Sequence, residues 1–351
     1  MAHSTIDIAG RKVGAGQPCF IIAEAGVNHN GEIEMARRLI DVAVRAGADA
    51  VKFQTFKAER LVTPDAPKAE YQSRTTDPGE THFDMIRRLE LPRQMHLELM
   101  DHCREQGILF LSSPFDEESA DLLDDLGVAA FKIPSGEITN LPFLAHVASL
   151  GKPMIVSTGM SHLGEVEAAI RTIVAASNND YVILHCVSNY PADPADVNLR
   201  AMHTMAAAFG APVGYSDHTL GVEIPIAAVA LGARVIEKHF TLDRNLPGPD
   251  HLASLEPEEL AAMVRGIRTV EASLGHGRKV PAASEANTAA VARKSLVAAQ
   301  DIPPGTTLTE EMVAVKRPGT GLPPAMRPHI VGRSARTNIE AGALLRLEML
   351  A

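Results

Sequence analysis

Short, almost continuously apolar segments alternate with longer amphipathic segments over most of the chain. Eight such apolar segments lie between Cys19 and Phe240: CFIIAEAG, DAVKFQTF, GILFLSSPF, VAAFKIPSGE, KPMIVSTGM, YVILHCVSNY, APVGYSDH and ARVIEKHF. Runs of this length and composition are typical of parallel strands that are buried on both faces. Stretches such as EESADLLDDLG and LGEVEAAIRTIVAA follow them and predict a helix after each strand. A long polar insertion that ends near Leu91 follows DAVKFQTF.

Eight strand–helix units predict an α/β fold, a (β/α)8 TIM barrel, which we place at residues 1–275. A doubly wound open sheet is the alternative. Such sheets usually have fewer strands and often an early glycine-rich phosphate turn, and no GxGxxG motif follows CFIIAEAG.

The end of the chain has a different pattern. Residues 276–289, HGRKVPAASEANTA, have no apolar period and predict a linker. The remaining residues 290–351 contain a weak internal repeat, in which DIPPGTTLTEEMV resembles NIEAGALLRLEML. Two copies of one short unit predict a small, pseudo-symmetric β-rich domain.

Composition narrows the classes of function. The 351 residues include 46% hydrophobic ones, and no run has the length of a signal peptide or a membrane span, so we expect a cytoplasmic protein without a membrane partner. The formal net charge of -10 disfavours nucleic acid as a partner. Three scattered cysteines without CxxC spacing argue against disulfides and against a thiolate zinc site.

Polar residues cluster at the carboxyl ends of the predicted strands, where TIM barrels have their active sites. The positions singled out are Glu24, Lys52, Ser113, Lys132, Ser135, Glu137, Ser157, Ser188, Tyr190, Ser216, His218, Glu237, Lys238 and His239.

Two of these residues, Lys52 and Lys132, interrupt apolar runs. A buried ammonium group is costly without a partner, so each predicts a nearby anion, and the surrounding hydroxyl groups favour phosphate. The alternative for Lys132 is a Schiff-base nucleophile, as in barrel aldolases.

Two other residues, His218 and His239, end the last two predicted strands. Neighbouring strands lie about 4.8 Å apart, so the two imidazoles can reach a common point and hold a divalent cation. Such a pair would leave coordination positions open for water and substrate, as catalysis requires. Structural roles for both histidines remain open, and His29, His185 and His251 are rival ligands.

Ten motifs, distributed over nearly the whole chain, resemble those of a known enzyme family. They are IAEAGVNHNG, AVKFQTFKAERLV, APKAEYQ, FLSSPFD, KIPSGE, STGM, YSDHTLG, EKHFTLD, PGPDHLASLEPEEL and VKRPGTG. In this order they resemble the sialic acid synthase family, which includes the legionaminic acid synthases. The final domain resembles the antifreeze-like (SAF) domain of these enzymes.

The resemblance implies an enzyme that condenses phosphoenolpyruvate with an N-acylated hexosamine aldehyde and releases phosphate, assisted by Mn²⁺ or Mg²⁺. It implies His218 and His239 as metal ligands, Glu137 as the residue that handles the attacking water, and catalytic or sugar-contacting roles for Glu24 and Asp250. Substrate contacts are implied at Lys52, Ser113, Phe115, Lys132, Ser135, Ser157, Ser188, Tyr190 and Ser216.

The same resemblance implies a domain-swapped homodimer, in which Arg317 of VKRPGTG lies over the sugar bound by the partner barrel. N-acetylmannosamine, giving N-acetylneuraminate, is the first substrate that it suggests. The loop VSNYP, Val187 to Pro191, departs from the pattern expected of some members that form sialic acid. A diacetamido-trideoxymannose, giving N,N'-diacetyllegionaminate, is therefore the alternative. A Schiff-base aldolase and a non-catalytic sugar-binding protein are more distant ones.

Overall fold

The computed structural model describes residues 5–351, and the chain divides into two compact units between Gly275 and His276. The first unit begins with an antiparallel hairpin, β1 (Ile6–Ile8) and β2 (Arg11–Val13), which the sequence patterns did not predict.

Eight parallel strands follow in the first unit. They are β3 (Phe20–Gly26), β4 (Ala50–Thr55), β5 (Leu109–Pro114), β6 (Phe131–Ile133), β7 (Met154–Ser157), β8 (Tyr181–Cys186), β9 (Val213–Asp217) and β10 (Val235–His239). Their order in the sheet is β5-β4-β3-β10-β9-β8-β7-β6, and β5 also lies beside β6, which closes the array. All eight coincide with the predicted segments, so the prediction of a TIM barrel is confirmed.

Helices surround the barrel. They are α1 (Ile33–Ala46), α2 (Ala58–Leu61), α3 (Glu70–Thr75), α4 (His82–Arg88), α5 (Arg93–Gln106), α6 (Glu117–Asp125), α7 (Leu141–Ser149), α8 (Leu163–Ala175), α9 (Ala201–Phe209), α10 (Glu223–Ala230) and α11 (Pro257–Leu274). The short helices α2, α3 and α4 form an insertion between β4 and α5, within the stretch predicted only as a long polar insertion.

Alternation along each strand separates the two sides of the barrel wall. One set of buried residues, such as Ile22, Leu111 and Val182, packs inside the barrel together with apolar residues of the hairpin. The intervening set, such as Ile21 and Ile183, belongs to the larger core that contains the apolar faces of the surrounding helices. The hairpin therefore fills one end of the barrel interior.

The second unit contains α12 (Ala286–Ala292), β11 (Ser295–Ala298), β12 (Val313–Lys316) and α13 (Arg327–Ile330), with its own apolar core. The predicted repeat is visible in space, because Ile302 and Ile339 exchange backbone hydrogen bonds of 2.8 and 3.0 Å. Leu308 and Leu345, also equivalent in the repeat, are both buried in this core. The predicted small β-rich SAF domain is confirmed. Of the predicted linker 276–289, the part from Ala286 onward is helical.

Two expectations from composition can be compared with the described residues. Cys19, Cys103 and Cys186 are all buried and unpaired. Among residues 5–351, no helix combines the length and the apolar character that crossing a bilayer requires.

Candidate active site

A cavity of about 410 Å³ lies at the carboxyl ends of the barrel strands. Every barrel residue predicted to act in the site lines this cavity, with the exception of Glu137. These lining residues are Glu24, Lys52, Ser113, Phe115, Lys132, Ser135, Ser157, Ser188, Tyr190, Ser216, His218, His239 and Asp250.

Strand geometry explains why so many polar side chains meet here. Ile22, Leu111 and Val235 point into the barrel, so the residues two positions later in each strand point the same way, nearer the mouth. Those later residues are polar and include Glu24 and Ser113. The barrel interior is therefore apolar at one end and charged at the other.

The charged groups form a buried cluster centred on Lys52. Its Nζ lies 2.7 Å from Glu24 Oε2 and 3.6 Å from Glu237 Oε2, and it donates to Ser113 Oγ at 2.9 Å. The Nζ of Lys132 lies 3.2 Å from Glu237 Oε1. Each of these charged side chains is almost completely buried.

Burial raises the pKa of both carboxyl groups in the cluster, whereas the neighbouring ammonium groups lower it. Burial raises the pKa of Glu24 to about 7, although the ammonium group of Lys52 opposes this. Burial would also raise the pKa of Glu237, but Lys132 and Lys52 lower it to about 2. At neutral pH Glu237 is ionised, while Glu24 can gain or release a proton. Two ammonium groups then face fewer than two full negative charges, which favours an anionic ligand.

The two histidines converge on the same cavity. The imidazole centroids of His218 and His239 are 5.4 Å apart. His218 Nδ1 donates to the carbonyl oxygen of Val187 at 2.6 Å, which leaves the lone pair on Nε2. His239 Nδ1 is buried and has no hydrogen-bond partner in the described chain, and its nearest carboxylate oxygen is Asp250 Oδ2 at 3.8 Å.

These features suit a divalent cation. Burial lowers the pKa of His239 well below its usual value, so this imidazole is neutral at pH 7. Burial also opposes protonation of His218, but Cys186 and the Val187 carbonyl oxygen raise its pKa overall, and a bound cation would displace that proton. In residues 5–351 no group of three or more His, Cys, Asp or Glu side chains is arranged to hold a metal ion. A cation held by this pair would leave most of its coordination positions to water and substrate.

Aromatic side chains connect the histidines to the insertion. The ring of Tyr190 lies 4.0 Å from that of His218, and Tyr71 of α3 stacks on Tyr190 at 5.0 Å. Asp250 lies on the same side of the cavity, and burial raises its pKa to about 6, against the effect of His218 and Lys52.

The rest of the cavity wall is mostly apolar, with Gln54, Gln72 and His82 as polar members, and apart from Phe115 it was not predicted. Most of it comes from the insertion and its neighbours: Val27, Phe56, Leu61, Val62, Tyr71, Met85, Ile86, Leu89 and Phe115. Glu237 also received no role from the sequence, although a signal was present. It precedes His239 by two residues in a strand, so the two side chains share one face.

Two predicted site residues lie elsewhere. Glu137 is half-buried beside the cavity, where its Oε2 accepts a hydrogen bond of 2.8 Å from Asn140 Nδ2. Arg317 belongs to the second unit, where its Nε donates to the Ala292 carbonyl oxygen at 3.0 Å.

The rival histidines do not line the cavity either. His185 Nε2 donates to the Val197 carbonyl oxygen, and His251 Nδ1 hydrogen-bonds Thr241 Oγ1 at 2.6 Å. His29 is completely buried, and its Nδ1 accepts from the Gly31 amide.

A TIM barrel that gathers paired histidines, buried lysines and carboxyl groups in one cavity has the features of an enzyme of small-molecule metabolism. Residues 39–279 match the model of the NeuB family, and residues 293–351 match that of the SAF domain. The chain belongs to the NeuB family. The predicted family and the predicted enzyme class, a nonulosonate synthase that forms a carbon–carbon bond, are thereby confirmed.

Individual relatives agree with this assignment. The chain is 50% identical to N,N'-diacetyllegionaminic acid synthase of Legionella pneumophila over 95% of both chains. It is 39% identical to N-acetylneuraminate-9-phosphate synthase of Homo sapiens over 97% of this chain and 95% of the relative. The crystal structure of N-acetylneuraminic acid (sialic acid) synthetase from Leptospira borgpetersenii is similar with a TM-score of 0.72 and 37% identity, covering 82% of this chain and 95% of that one.

Proposed function

We propose that this enzyme joins phosphoenolpyruvate to an N-acylated mannosamine-type aldehyde and, with one water, yields a nonulosonic acid and inorganic phosphate. A bond forms between C3 of phosphoenolpyruvate and C1 of the sugar, the water oxygen adds to C2, and the bond between C2 and the phosphate oxygen breaks. The observation that carries this proposal is the single cavity that contains both the buried lysines and the convergent histidines.

Phosphoenolpyruvate is assigned to the end of the cavity that holds the lysines. Lys52 and Lys132 supply positive charge there, and Ser113 and Ser135 supply hydroxyl groups. Ser157 Oγ is buried and has no hydrogen-bond partner among the described residues, as expected of a group that bonds a substrate. Phosphate and carboxylate groups would replace Glu24 and Glu237 as partners of the ammonium groups.

The sugar aldehyde is assigned to the end that holds the histidines. A divalent cation bound by His218 and His239 would polarise the aldehyde oxygen as a Lewis acid. Glu24 lies between the two ends, and its pKa near 7 suits the transfer of a proton to or from the reacting atoms. Asp250 is placed to accept hydrogen bonds from sugar hydroxyl groups. The role of Glu137 in handling water stays a prediction, since its carboxylate does not line the cavity.

The apolar wall favours one of the two predicted sugars. N-acetylmannosamine presents hydroxyl groups at C4 and C6, whereas 2,4-diacetamido-2,4,6-trideoxymannose presents a second acetyl methyl group and a C6 methyl group. Side chains such as Met85, Leu89 and Phe115 match methyl groups better than hydroxyl groups. Among the described residues of one subunit no arginine lines the cavity, and its two lysines are assigned to phosphoenolpyruvate, so one subunit alone offers a sugar 6-phosphate no counter-charge. We therefore propose N,N'-diacetyllegionaminate as the product, with N-acetylneuraminate, the first prediction from sequence, as the alternative.

A substrate panel separates these possibilities. With phosphoenolpyruvate and Mn²⁺, we expect kcat/KM for the diacetamido-trideoxymannose to exceed that for N-acetylmannosamine at least tenfold, because two methyl groups each contribute about 1 kcal/mol in an apolar pocket. N-acetylmannosamine 6-phosphate should be the poorest substrate. Phosphate release and product mass provide the measurement. Equal or higher kcat/KM for N-acetylmannosamine would restore the first prediction without affecting the reaction class.

Three further properties are proposed from the resemblance. The enzyme is a domain-swapped homodimer in which Arg317 of the partner subunit reaches the sugar, the cation in the cell is Mn²⁺ or Mg²⁺, and the enzyme is cytoplasmic. Arg317 is exposed in the second unit, and it is therefore free to contact another molecule.

A further inference from the structure

A second buried ion pair lies just outside the cavity, between Lys238 and Asp217. Its Nζ and Oδ2 atoms are 2.5 Å apart, and both side chains are completely inaccessible to solvent. Each residue immediately precedes a cavity histidine, Asp217 before His218 and Lys238 before His239. Alternation along the strands turns the ion pair away from the cavity and toward the outside of the barrel wall.

This pair also marks the end of the backbone pairing between the two strands. The register of β10 and β9 runs through Ile236 with Tyr215, Glu237 with Ser216 and, last, Lys238 with Asp217. His239 still belongs to β10, whereas His218 lies one residue beyond β9. The backbone pairing of these two strands therefore does not extend to His218.

Side chains replace the missing backbone contacts. The ammonium group of Lys238 bonds both Asp217 and the carbonyl oxygen of Thr219, the residues on either side of His218. The Asp217 carboxylate accepts from the Thr219 amide at 2.9 Å and from its hydroxyl group at 3.1 Å. One ammonium group on β10 thus holds both neighbours of His218. We call Asp217, Thr219 and Lys238 the clamp.

We propose that the clamp is a positioning device, which sets the distance between the imidazoles of His218 and His239 and thereby the affinity for the divalent cation. The inference rests on the proposed function, because it assumes that the two histidines bind a cation. A role in stability alone explains the pair poorly, since apolar residues of similar volume usually stabilise a core as well as a buried ion pair does. The Lys238–Asp217 pair is distinguished by its position, because it lies next to both histidines at the point where the pairing of β9 and β10 ends.

The test uses the double variant Asp217→Asn/Lys238→Met in the full-length protein. Asparagine keeps an acceptor for Thr219, and methionine fills most of the lysine volume, so no unpaired charge is left buried. We expect the Kd for Mn²⁺, measured from the electron paramagnetic resonance signal of the free ion, to rise about 10- to 100-fold, as for other residues that orient metal ligands. The KM for phosphoenolpyruvate should change less than about threefold.

A control variant removes a partly exposed ion-pair network far from the cavity. Arg268 bonds Asp49, Glu271 and the Cys19 carbonyl oxygen, at the opposite ends of the strands. Arg268→Met should lower the melting temperature and leave the Kd for Mn²⁺ unchanged.

The outcomes separate the clamp from the proposed function. If the wild-type protein binds Mn²⁺ and the folded double variant binds it equally well, the positioning role of the clamp is refuted and the proposed function stands. If the wild-type protein does not bind Mn²⁺, the metal site and the clamp are both overturned. If the double variant does not melt cooperatively, Asp217→Asn alone is measured, and an unchanged Kd in that variant overturns the clamp.

Discussion

Replacement of His239 by alanine is expected to lower kcat/KM for the condensation about 10³-fold and to raise the Kd for Mn²⁺ at least 100-fold. One imidazole would remain, at His218, and a single neutral nitrogen does not hold a divalent cation at micromolar concentration. Loss of Lewis-acid assistance is worth several kcal/mol, and each 1.4 kcal/mol is about a factor of ten in rate. The fold should persist, because the side chain lines a cavity and does not belong to the apolar core.

The measurement combines Mn²⁺ titration with a phosphate-release assay. A matched control is His146→Ala, which removes a partly exposed histidine that pairs with Asp121 on the outer helices. That control should bind Mn²⁺ and turn over like the wild type. If the His239 variant retains both metal affinity and activity, the assignment of His239 as a ligand is wrong.

Replacement of Lys132 by methionine is expected to lower kcat/KM for phosphoenolpyruvate by about 10²- to 10³-fold, chiefly through a higher KM. This side chain supplies one of the two buried ammonium groups in the cavity, and charge-assisted bonds to phosphate are among the stronger polar contacts. Loss of Lys132 also removes the positive charge that lowers the pKa of Glu237 most, so this pKa should rise from about 2. Mn²⁺ affinity should change little, because the histidines keep their own contacts.

Initial rates at varied phosphoenolpyruvate and saturating sugar provide the test. The control variant Lys152→Met removes another lysine that is paired with a carboxylate, but one outside the cavity, at Asp124. Two results would contradict the assignment. One is a KM for phosphoenolpyruvate within twofold of the wild-type value. The other is trapping of a covalent adduct on Lys132 by borohydride with substrate present, which would identify a Schiff-base aldolase. Burial lowers the pKa of Lys132 overall although Glu237 opposes this, so borohydride trapping decides between the two roles of this lysine.

The barrel could be predicted because each of its strands is buried on both faces and therefore has a continuous apolar signature. The hairpin β1–β2 was missed because each of its strands has only three residues, too few for a period to show. The insertion was read only as polar, since α2, α3 and α4 have four to seven residues each. Helices this short depend on tertiary contacts more than on their own sequence.

The charged residues at the strand ends were predictable for a related reason. A charged residue such as Lys52 or Lys132 within an apolar run stands out, and barrel geometry places it at the mouth. The pairing of charges was not predictable, because Glu24 and Glu237 come from opposite ends of the barrel sequence and meet only through the pairing of β3 with β10. The apolar wall depends on how the insertion folds back over the cavity, and sequence patterns give no information about that path.

The central claim is that one cavity holds both the cation and phosphoenolpyruvate. The most direct test is a crystal structure with Mn²⁺ and phosphoenolpyruvate, in which anomalous scattering locates the manganese. We expect a single strong peak within bonding distance of His218 and His239, and the phosphate group of phosphoenolpyruvate in contact with Lys52 or Lys132. A manganese peak away from both imidazoles, or phosphoenolpyruvate bound outside this cavity, would contradict the account.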